Sequence, residues 1–330
     1  GTFRNEESIS SEGKNRASLS NQSDFSWTLD NLIYYDKEFG KHSVGLTLLQ
    51  SATGYHYEES SMAAEGIPLE SAKWNALSKE NVSLLDEWNS GLIEKQLLSY
   101  MFRVNYDYNN KYLLTVSGRW DGASQLAEGN KWAFFPSAAL GWRLDQEEFL
   151  KDVTWLNQLK FRLGVGVTGN SAIDPYQTKG AIVSLYYPFG SALAPGYAAS
   201  EPLIKDGAVA MANKNLSWEK TTQYNIGLDY SVLNGRISGV LDFYTSRTTD
   251  LLMAMTIPSL NGYTNTYANV GKTSNIGVDI TLNTVNVKTR DFEWSTSINA
   301  AWQKDKIDEL ANGKEDDINN CLLYTSDAAD

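Results

Sequence analysis

Three glycines in the sequence have the spacing of a dinucleotide-binding fingerprint: Gly164, Gly166 and Gly169. That fingerprint needs a helix after the last glycine, because the N-terminus of the helix faces the pyrophosphate. Instead Asn170, Ser171 and Asp174-Pro175 follow, which is typical of a loop. We therefore interpret the glycines as small residues on the polar face of a strand, and we predict no cofactor.

Other residues capable of catalysis or metal binding are scattered along the chain. His42 and His56 lack metal-ligand spacing, and Cys321, the single cysteine, has no partner for a disulfide or a metal site. Glu58-Glu59 and Glu147-Glu148 are sequence neighbours, so they are interpreted as solvated loop charges. No serine or cysteine stands in a recognisable nucleophile setting. The sequence predicts neither an enzyme nor a metal site.

A third set of polar residues is more informative, because its members alternate with apolar residues. Alternation with period two places charges on one face of a strand and apolar side chains on the other. The charged face is predicted to be wetted by water, and its members are Arg119, Arg143, Lys160, Arg162, Asp229, Asp242 and Asp279.

The segments that carry this alternation are long. Several reach ten residues or more, whereas globular strands centre on about 5–6 residues and a strand tilted across a bilayer needs about 9–11. We predict strands over 25–35, 41–50, 99–108, 112–121, 135–145, 158–168, 221–232, 236–247, 275–285 and 292–303, with a weaker one near 14–20.

The predicted connections alternate between short and long. Short ones fall at 36–40, 109–111, 146–157, 233–235 and 286–291, and long ones at 51–98, 122–134, 169–220 and 248–274. Short turns at one edge and long loops at the other are the anatomy of an outer-membrane barrel. Within the fourth short connection, Asn234-Gly235 predicts a type I′ hairpin.

Composition agrees with an all-β membrane protein. A net charge of −12 argues against nucleic acid as a partner, and no run of about 18 apolar residues exists that would form a transmembrane helix. Aromatic residues near the strand ends are predicted to form the girdles at the bilayer interfaces. These are Tyr112, Trp120, Trp142, Tyr224, Tyr230, Tyr244, Trp294 and Trp302.

A soluble all-β module for glycan binding or processing remains open as an alternative. In a barrel Leu114, Val116, Leu228 and Phe243 face lipid, whereas in a soluble module they pack against a second sheet about 10 Å away. A passive porin or adhesin is a third possibility that keeps the barrel.

Several segments resemble SusC/RagA-type TonB-linked outer-membrane receptors, over roughly residues 25–310. The matching segments are 112–124 (YLLTVSGRWDGAS), 130–137 (NKWAFFPS), 140–143 (LGWR), 163–170 (LGVGVTGN), 215–223 (NLSWEKTTQ), 269–271 (NVG) and 276–279 (IGVD).

The resemblance implies an antiparallel transmembrane β-barrel in the outer membrane of a Gram-negative bacterium. About ten strands would form a single curved sheet, part of a barrel of roughly 22 strands, with long extracellular loops and short periplasmic turns. It also implies import of oligosaccharides or peptides, a SusD-like surface lipoprotein as a lid, and energy from the TonB complex. The charged face would then line the lumen, against a plug domain or as solvated wall.

The family pattern also divides the chain. We expect residues 1–24 to be a partial strand or loop at the start of a fragment, with the plug and TonB box outside it. Residues 25–310 are expected to form the barrel segment. The tail 311–330 is expected to form no barrel strand, and from Cys321 onward it matches neither the alternation nor the family.

Substrate contact is assigned to aromatic residues of the long loops. Aromatic faces stack on the C–H side of sugar rings, although packing within a loop or contact with the lid explains each residue equally well. The candidates are Trp74, Trp88, Trp132, Tyr186, Tyr187, Tyr197, Tyr263 and Tyr267.

Overall fold

The computed structural model describes residues 1–7, 14–75, 77, 84–179, 183–189, 192–198, 210–258 and 265–310. Its main element is an eleven-stranded sheet in the order β1-β2-β3-β4-β5-β6-β7-β11-β12-β15-β16. Its strands are β1 (Thr2–Arg4), β2 (Arg16–Phe39), β3 (His42–Glu65), β4 (Leu84–Tyr108), β5 (Tyr112–Ala123), β6 (Trp132–Arg143), β7 (Leu156–Asn170), β11 (Glu219–Val232), β12 (Ile237–Thr249), β15 (Lys272–Lys288) and β16 (Glu293–Glu309).

The order follows the chain, and the sheet is open between β1 and β16. Consecutive pairs from β5 to β16 are antiparallel. The prediction of an all-β antiparallel sheet with about ten long strands is confirmed.

Two small sheets lie in the long connections. One contains β8 (Val183–Phe189) and β9 (Ala192–Ala198). The other contains β10 (Ala210–Met211), β13 (Leu252–Thr256) and β14 (Asn265–Asn269). Among the described residues, helix occurs only as 3₁₀ turns that are too short to span a bilayer.

The chain divides into two compact units. The first comprises residues 1–29 and 52–97, and the second comprises 30–51 and 98–330. In the first unit a small core contains Ala17, Ala64 and Ile67, with Trp74 packed against it. Asn15 closes this core, since its side-chain amide bonds both the carbonyl and the N–H of Ile67 at 2.8 and 2.6 Å.

The predicted ends of β2, β3 and β4 are wrong. Residues 51–65 and 84–98 were expected to belong to a long loop, but they continue β3 and β4. Similarly, β2 includes the weak segment near 14–20 in one strand of 24 residues. In the second unit the prediction of alternating short and long connections fails at one place: the connection 124–131, predicted long, is shorter than the connection 144–155, predicted short.

The turn between β11 and β12 has the predicted conformation. Asn234 and Gly235 have φ of 58° and 78°, and the N–H of Arg236 bonds the carbonyl of Leu233 at 3.2 Å. Positive φ at both central positions is what a type I′ turn requires, and Leu233 before them also has a positive φ of 55°.

The register aligns apolar side chains across seven strands of the second unit. Because side chains alternate along a strand, residues paired across strands share a face. Cross-strand neighbours on this apolar face are Leu114 with Leu140, Leu140 with Leu163, Leu163 with Ile226, Ile226 with Phe243, Phe243 with Val278, and Val278 with Trp302.

Candidate functional site

The opposite, polar face of the second unit is organised around Arg162. Its Nε donates to both carboxylate oxygens of Asp229 at 3.0 and 3.1 Å, and its Nη2 donates to both oxygens of Asp242 at 3.0 and 3.1 Å. The three side chains are 22–30% exposed. The register explains the geometry: Gly227 lies between Arg162 and Asp242, so no side chain separates them.

The other predicted lumen charges share this face. Lys160 pairs in register with Asp229, and Asp279 pairs in register with Asp242. Arg143 and Arg119 lie nearer the ends of their strands, and each holds a carboxylate at 2.8 and 2.7 Å respectively. The register therefore gathers Lys160, Arg162, Asp229, Asp242 and Asp279, and it pairs Arg143 with Lys160. Arg143 and Arg119 nevertheless each form an ion pair of their own.

Those separate pairs involve residues that the sequence analysis missed. Arg119 binds Asp121, and Arg143 binds Asp145, two residues further along in each case. Arg119 also donates to the hydroxyl of Ser99 at 2.9 Å. Residues i and i+2 of a strand share a face, so the spacing of Arg119 and Asp121 in β5 was a usable signal, whereas Asp145 lies in the 3₁₀ turn after β6.

A buried cluster of loop residues packs beyond the charges, at the end of the sheet where the long connections lie. Leu126, Leu216 and Trp218 are almost fully buried. Trp218 meets Phe135 edge-on at 5.2 Å and donates its indole N–H to the carbonyl of Lys131 at 2.8 Å. These loops are therefore packed together rather than free in solvent.

Asn269 joins the same cluster to one further connection, the one between β12 and β15. Its Nδ2 donates to the carbonyls of Ser217 and Asp250 at 2.8 and 3.0 Å, and its Oδ1 accepts from the N–H of Ser217 at 2.8 Å. The segments 215–223 and 269–271, which carried the family resemblance, thus tie loops together.

At the opposite end of the sheet, the carboxylate of Glu147 accepts hydrogen bonds from two aromatic side chains. Glu147 accepts from the hydroxyl of Tyr112 at 2.7 Å and the indole of Trp142 at 3.0 Å, and it pairs with Lys111 at 3.2 Å. Tyr112 stacks on Trp142 and on Tyr108. This row continues from Tyr108 through His42, which stacks on Phe39.

The turn that holds Glu147 is acidic, with depressed pKa values. Hydrogen bonds from Tyr112, then from Trp142 and Lys111, hold the pKa of the Glu147 carboxyl below its ordinary value. At Asp145, partial burial favours the neutral form, but bonds from Arg143, Gln146 and the Leu159 N–H outweigh it and lower the pKa. Both carboxylates stay charged at neutral pH.

The apolar face remains exposed. Leu140 is 54% exposed and Trp302 is 58% exposed, and Val116 and Phe243 are exposed as predicted, while Leu114 and Leu228 are half-buried between their neighbours. Large apolar side chains exposed in a continuous band mark an interaction surface. A second sheet against this band, which the soluble alternative requires, is not found among the described residues.

One girdle residue is on the wrong face in the sequence analysis. Tyr244 is two residues from Asp242 in β12, so it lies on the polar face, where its ring covers Gly277. A Cβ on Gly277 would clash with the ring and hydroxyl of Tyr244. Phe243 takes the apolar side instead.

Two candidate substrate-contact residues have side chains packed against other residues. Trp74 packs against the small core of the first unit. Trp132 is the first residue of β6, where it stacks on Tyr100 at 6.2 Å and meets Trp120 edge-on at 6.0 Å on the apolar face. The expected loop position is therefore wrong for Trp132, whereas Trp74 lies in the connection between β3 and β4, within the 3₁₀ turn Glu70–Asn75.

The remaining candidates are only partly described. Tyr267 lies in β14, and its carbonyl accepts from Asn213 at 2.8 Å. Trp88 lies in β4, Tyr186 and Tyr187 lie in β8, and Tyr197 lies in β9, but their side chains fall outside the described residues, as does the whole of Tyr263 and of the tail 311–330.

The chemistry available on the polar face is that of charged and hydrogen-bonding groups. Within the described ranges no cluster of histidine, cysteine, aspartate and glutamate side chains could hold a metal ion. The face offers arginine–carboxylate networks and serine, threonine and asparagine side chains, which suit a wetted wall.

Known proteins resemble this chain both in sequence and in fold. A family model described as TonB dependent receptor-like, beta-barrel matches residues 2–326. TonB-dependent receptor P3 of Formosa agariphila is 33% identical over 289 residues, 87% of this chain and 28% of the relative. TonB-dependent receptor SusC of Bacteroides thetaiotaomicron is 38% identical over 255 residues, 74% of this chain and 24% of the relative.

Among solved structures, the RagAB peptide importer in the open-open state is similar with a TM-score of 0.79 at 25% identity, over 92% of this chain and 32% of that chain. The chain thus spans about a quarter of the length of these curated relatives.

Proposed function

Because the chain belongs to the TonB-dependent receptor-like β-barrel family, we propose that it forms part of the wall of an outer-membrane importer. In this proposal the apolar face contacts lipid and the face of Arg162 lines the transport path. The energy comes from the TonB complex, through a region of the receptor outside this chain.

The observation that carries the proposal is the exposed apolar band across seven antiparallel strands. Its members are aligned in register from Leu114 on β5 to Trp302 on β16. In water such a band would promote aggregation, whereas in hydrocarbon it is the ordinary surface of a barrel. The paired charges on the other face support a water-filled or plugged interior, since charges avoid lipid.

The cargo proposed is an oligosaccharide, or alternatively a peptide, captured with a SusD-like surface lipoprotein. The peptide alternative is supported by the similar solved structure, which is that of a peptide importer. The loop aromatics remain proposed contacts, with Tyr267 the candidate whose side chain lies in a described loop sheet. Trp132 points to the apolar side, so lipid is a better partner for it.

The proposal is tested with the full-length receptor in its own cells. Deletion should abolish growth on one defined glycan or peptide mixture while growth on monosaccharides and amino acids continues. Affinity purification of the receptor from outer membranes should recover a surface lipoprotein at equal stoichiometry.

Two results would count against it. A receptor found in the soluble fraction would revive the soluble all-β alternative. Uptake that continues after TonB is removed would indicate a passive porin instead. As a matched control, Tyr267→Phe retains the ring and should leave uptake unchanged, whereas Tyr267→Ala should reduce it if the ring contacts cargo.

A further inference from the structure

An apolar groove on the lipid-facing side of the second unit contains two amide side chains. The groove has a volume of about 430 Å³, which lies in the range of small-molecule sites. Its apolar walls are formed by Ile33, Leu48, Tyr100, Phe102, Trp120 and Phe134. Its floor lies at Gly118, where a Cβ would meet Phe134 at 2.6 Å and Phe102 at 2.7 Å.

The two amides are Asn31 and Gln50. Asn31 Nδ2 donates to Gln50 Oε1 at 2.6 Å. Both side chains line the groove, and they share the face of Ile33 and Leu48, two residues away on the same strands. Polar groups on a lipid-exposed face are expensive unless something satisfies them.

One hydrogen bond leaves most of this pair unsatisfied. Two primary amides carry four N–H donors and two carbonyl acceptors, and among the described residues no further partner of Asn31 or Gln50 is recorded. Whichever way each amide is oriented, the pair retains both free donors and a free acceptor. A matching ligand must therefore offer a donor and an acceptor beside an apolar chain.

The position of the groove along the sheet indicates which leaflet supplies such a ligand. Trp120 and Trp132 meet at the ends of β5 and β6 that the 124–131 connection joins. This is the same end as the buried loop cluster and the opposite end from the Glu147 turn. Aromatic residues here mark the interface of the leaflet next to the long loops, which is the outer leaflet in a barrel of this kind.

Resting on the proposed function, we propose that the groove binds one acyl chain of lipid A, with its amide or hydroxyl group against Asn31 and Gln50. Lipid A is the outer-leaflet lipid of Gram-negative bacteria, and its amide-linked hydroxyacyl chains offer donors and acceptors at the interface. The ester linkages of a phospholipid offer acceptors alone and would leave the acceptor of the amide pair unsatisfied.

The test uses the full-length receptor, extracted from outer membranes in mild detergent, with bound lipid identified by mass spectrometry. The double variant Asn31→Leu/Gln50→Leu should reduce retained lipid A by about tenfold, since it removes two hydrogen bonds. Removing amides from a lipid-facing surface also lowers the cost of insertion, so the variant should assemble, which a heat-modifiable gel shift checks.

Two further variants separate the groove from general effects. Gly118→Leu leaves the amides in place but fills the floor and displaces the phenylalanine rings, so it should reduce retention as well. Asn299→Leu, which removes an amide from a similar cross-strand pair with Thr281 on the polar face, should leave retention unchanged.

The other outcomes of this experiment each support or overturn the lipid groove. Equal lipid A in wild type and double variant, or retention of phospholipid alone, overturns the inference. Cargo uptake by a receptor that retains no lipid A rejects the groove while leaving the import proposal intact. Retained lipid A that is lost in the double variant supports the groove even if no uptake is found.

Discussion

At the residue scale, Arg162 is the cation that offsets the repulsion between the carboxylates of Asp229 and Asp242 on the polar face. Substituting Arg162→Leu leaves Asp229 and Asp242 without their partner, and like charges on adjacent strands repel. Because the side chains remain 22–30% exposed, the cost should be about 1–2 kcal/mol, less than for a fully buried pair. The midpoint of chaotrope unfolding of the full-length receptor measures it.

Two variants make the Arg162 prediction specific. Lys160→Leu removes a neighbouring cation on the same face for which no ion pair is recorded among the described residues, and it should have a smaller effect. Adding Asp229→Asn and Asp242→Asn to Arg162→Leu should restore much of the stability. No recovery in that triple variant would show that carboxylate repulsion is not the cause.

Glu147 gives a prediction about pH. Its folded pKa lies below the ordinary value, so its contribution to stability is present above the unfolded pKa of about 4.3 and is lost as the pH falls through the folded value. The thermal stability difference between wild type and Glu147→Gln should therefore be constant from about pH 7 to 5 and shrink in more acidic buffer. Thermal unfolding of the full-length receptor across this range tests it.

Glu148 supplies the matched control for that experiment. Its pair with Lys151 is largely exposed, and exposed pairs contribute little. Glu148→Gln should therefore produce a smaller difference at every pH. An equal effect of the two substitutions would mean that the aromatic partners of Glu147 are not what stabilises the turn.

At the scale of elements, the alternation in sequence predicted which face of each strand is polar. It worked for β5, β6, β7, β11, β12, β15 and β16 because one face is apolar and the other polar along these strands. It failed for residues 51–65 and 84–98, which carry polar side chains on both faces and so lack the pattern although they form strands. Alternation appears in a sequence only where the two faces of a strand lie in different environments. A strand with similar environments on both faces does not show it.

The candidate site was predictable to a similar extent. Asp242 and Tyr244 are two residues apart in β12, so the sequence already placed them on one face. The prediction for Tyr244 was wrong because it used the position near a strand end and not the face. The loop cluster was not predictable, because the contacts of Trp218 and Asn269 join segments more than 50 residues apart. Such contacts depend on the register of the whole sheet.

Asn269 provides the prediction at this scale. Asn269→Ala removes three hydrogen bonds to Ser217 and Asp250, which lowers the cost of opening these loops without affecting the strands. Trypsin cleavage after Lys214 in the full-length receptor should become about tenfold faster. Asn299→Ala, on the strand wall, should leave that cleavage unchanged, and equal rates in both variants would contradict the proposed role.

At the scale of the whole molecule, polarity is arranged in the opposite sense to a soluble protein. Apolar side chains cover the exposed band, and ion pairs occupy the other face. Among the described residues the edge strand β16 has a neighbour on one side only. In the proposed membrane setting its free edge needs a partner, because unpaired backbone groups cannot face hydrocarbon.

The arrangement of polarity leads to the most direct prediction, at two adjacent residues of β6. Leu140 lies in the apolar band between Leu114 and Leu163, whereas Ala139 lies on the polar face between Thr115 and Gly164. An arginine on the lipid face costs about 2–4 kcal/mol at the bilayer centre and less toward the interface, which Trp142 approaches two residues from Leu140, while lumen substitutions are tolerated. Leu140→Arg should thus reduce folded receptor in the outer membrane far more than Ala139→Arg, as measured by heat-modifiable gel mobility. In a soluble module the ranking would follow core packing instead, so equal losses, or a larger loss for Ala139→Arg, would mean that the apolar band does not face lipid.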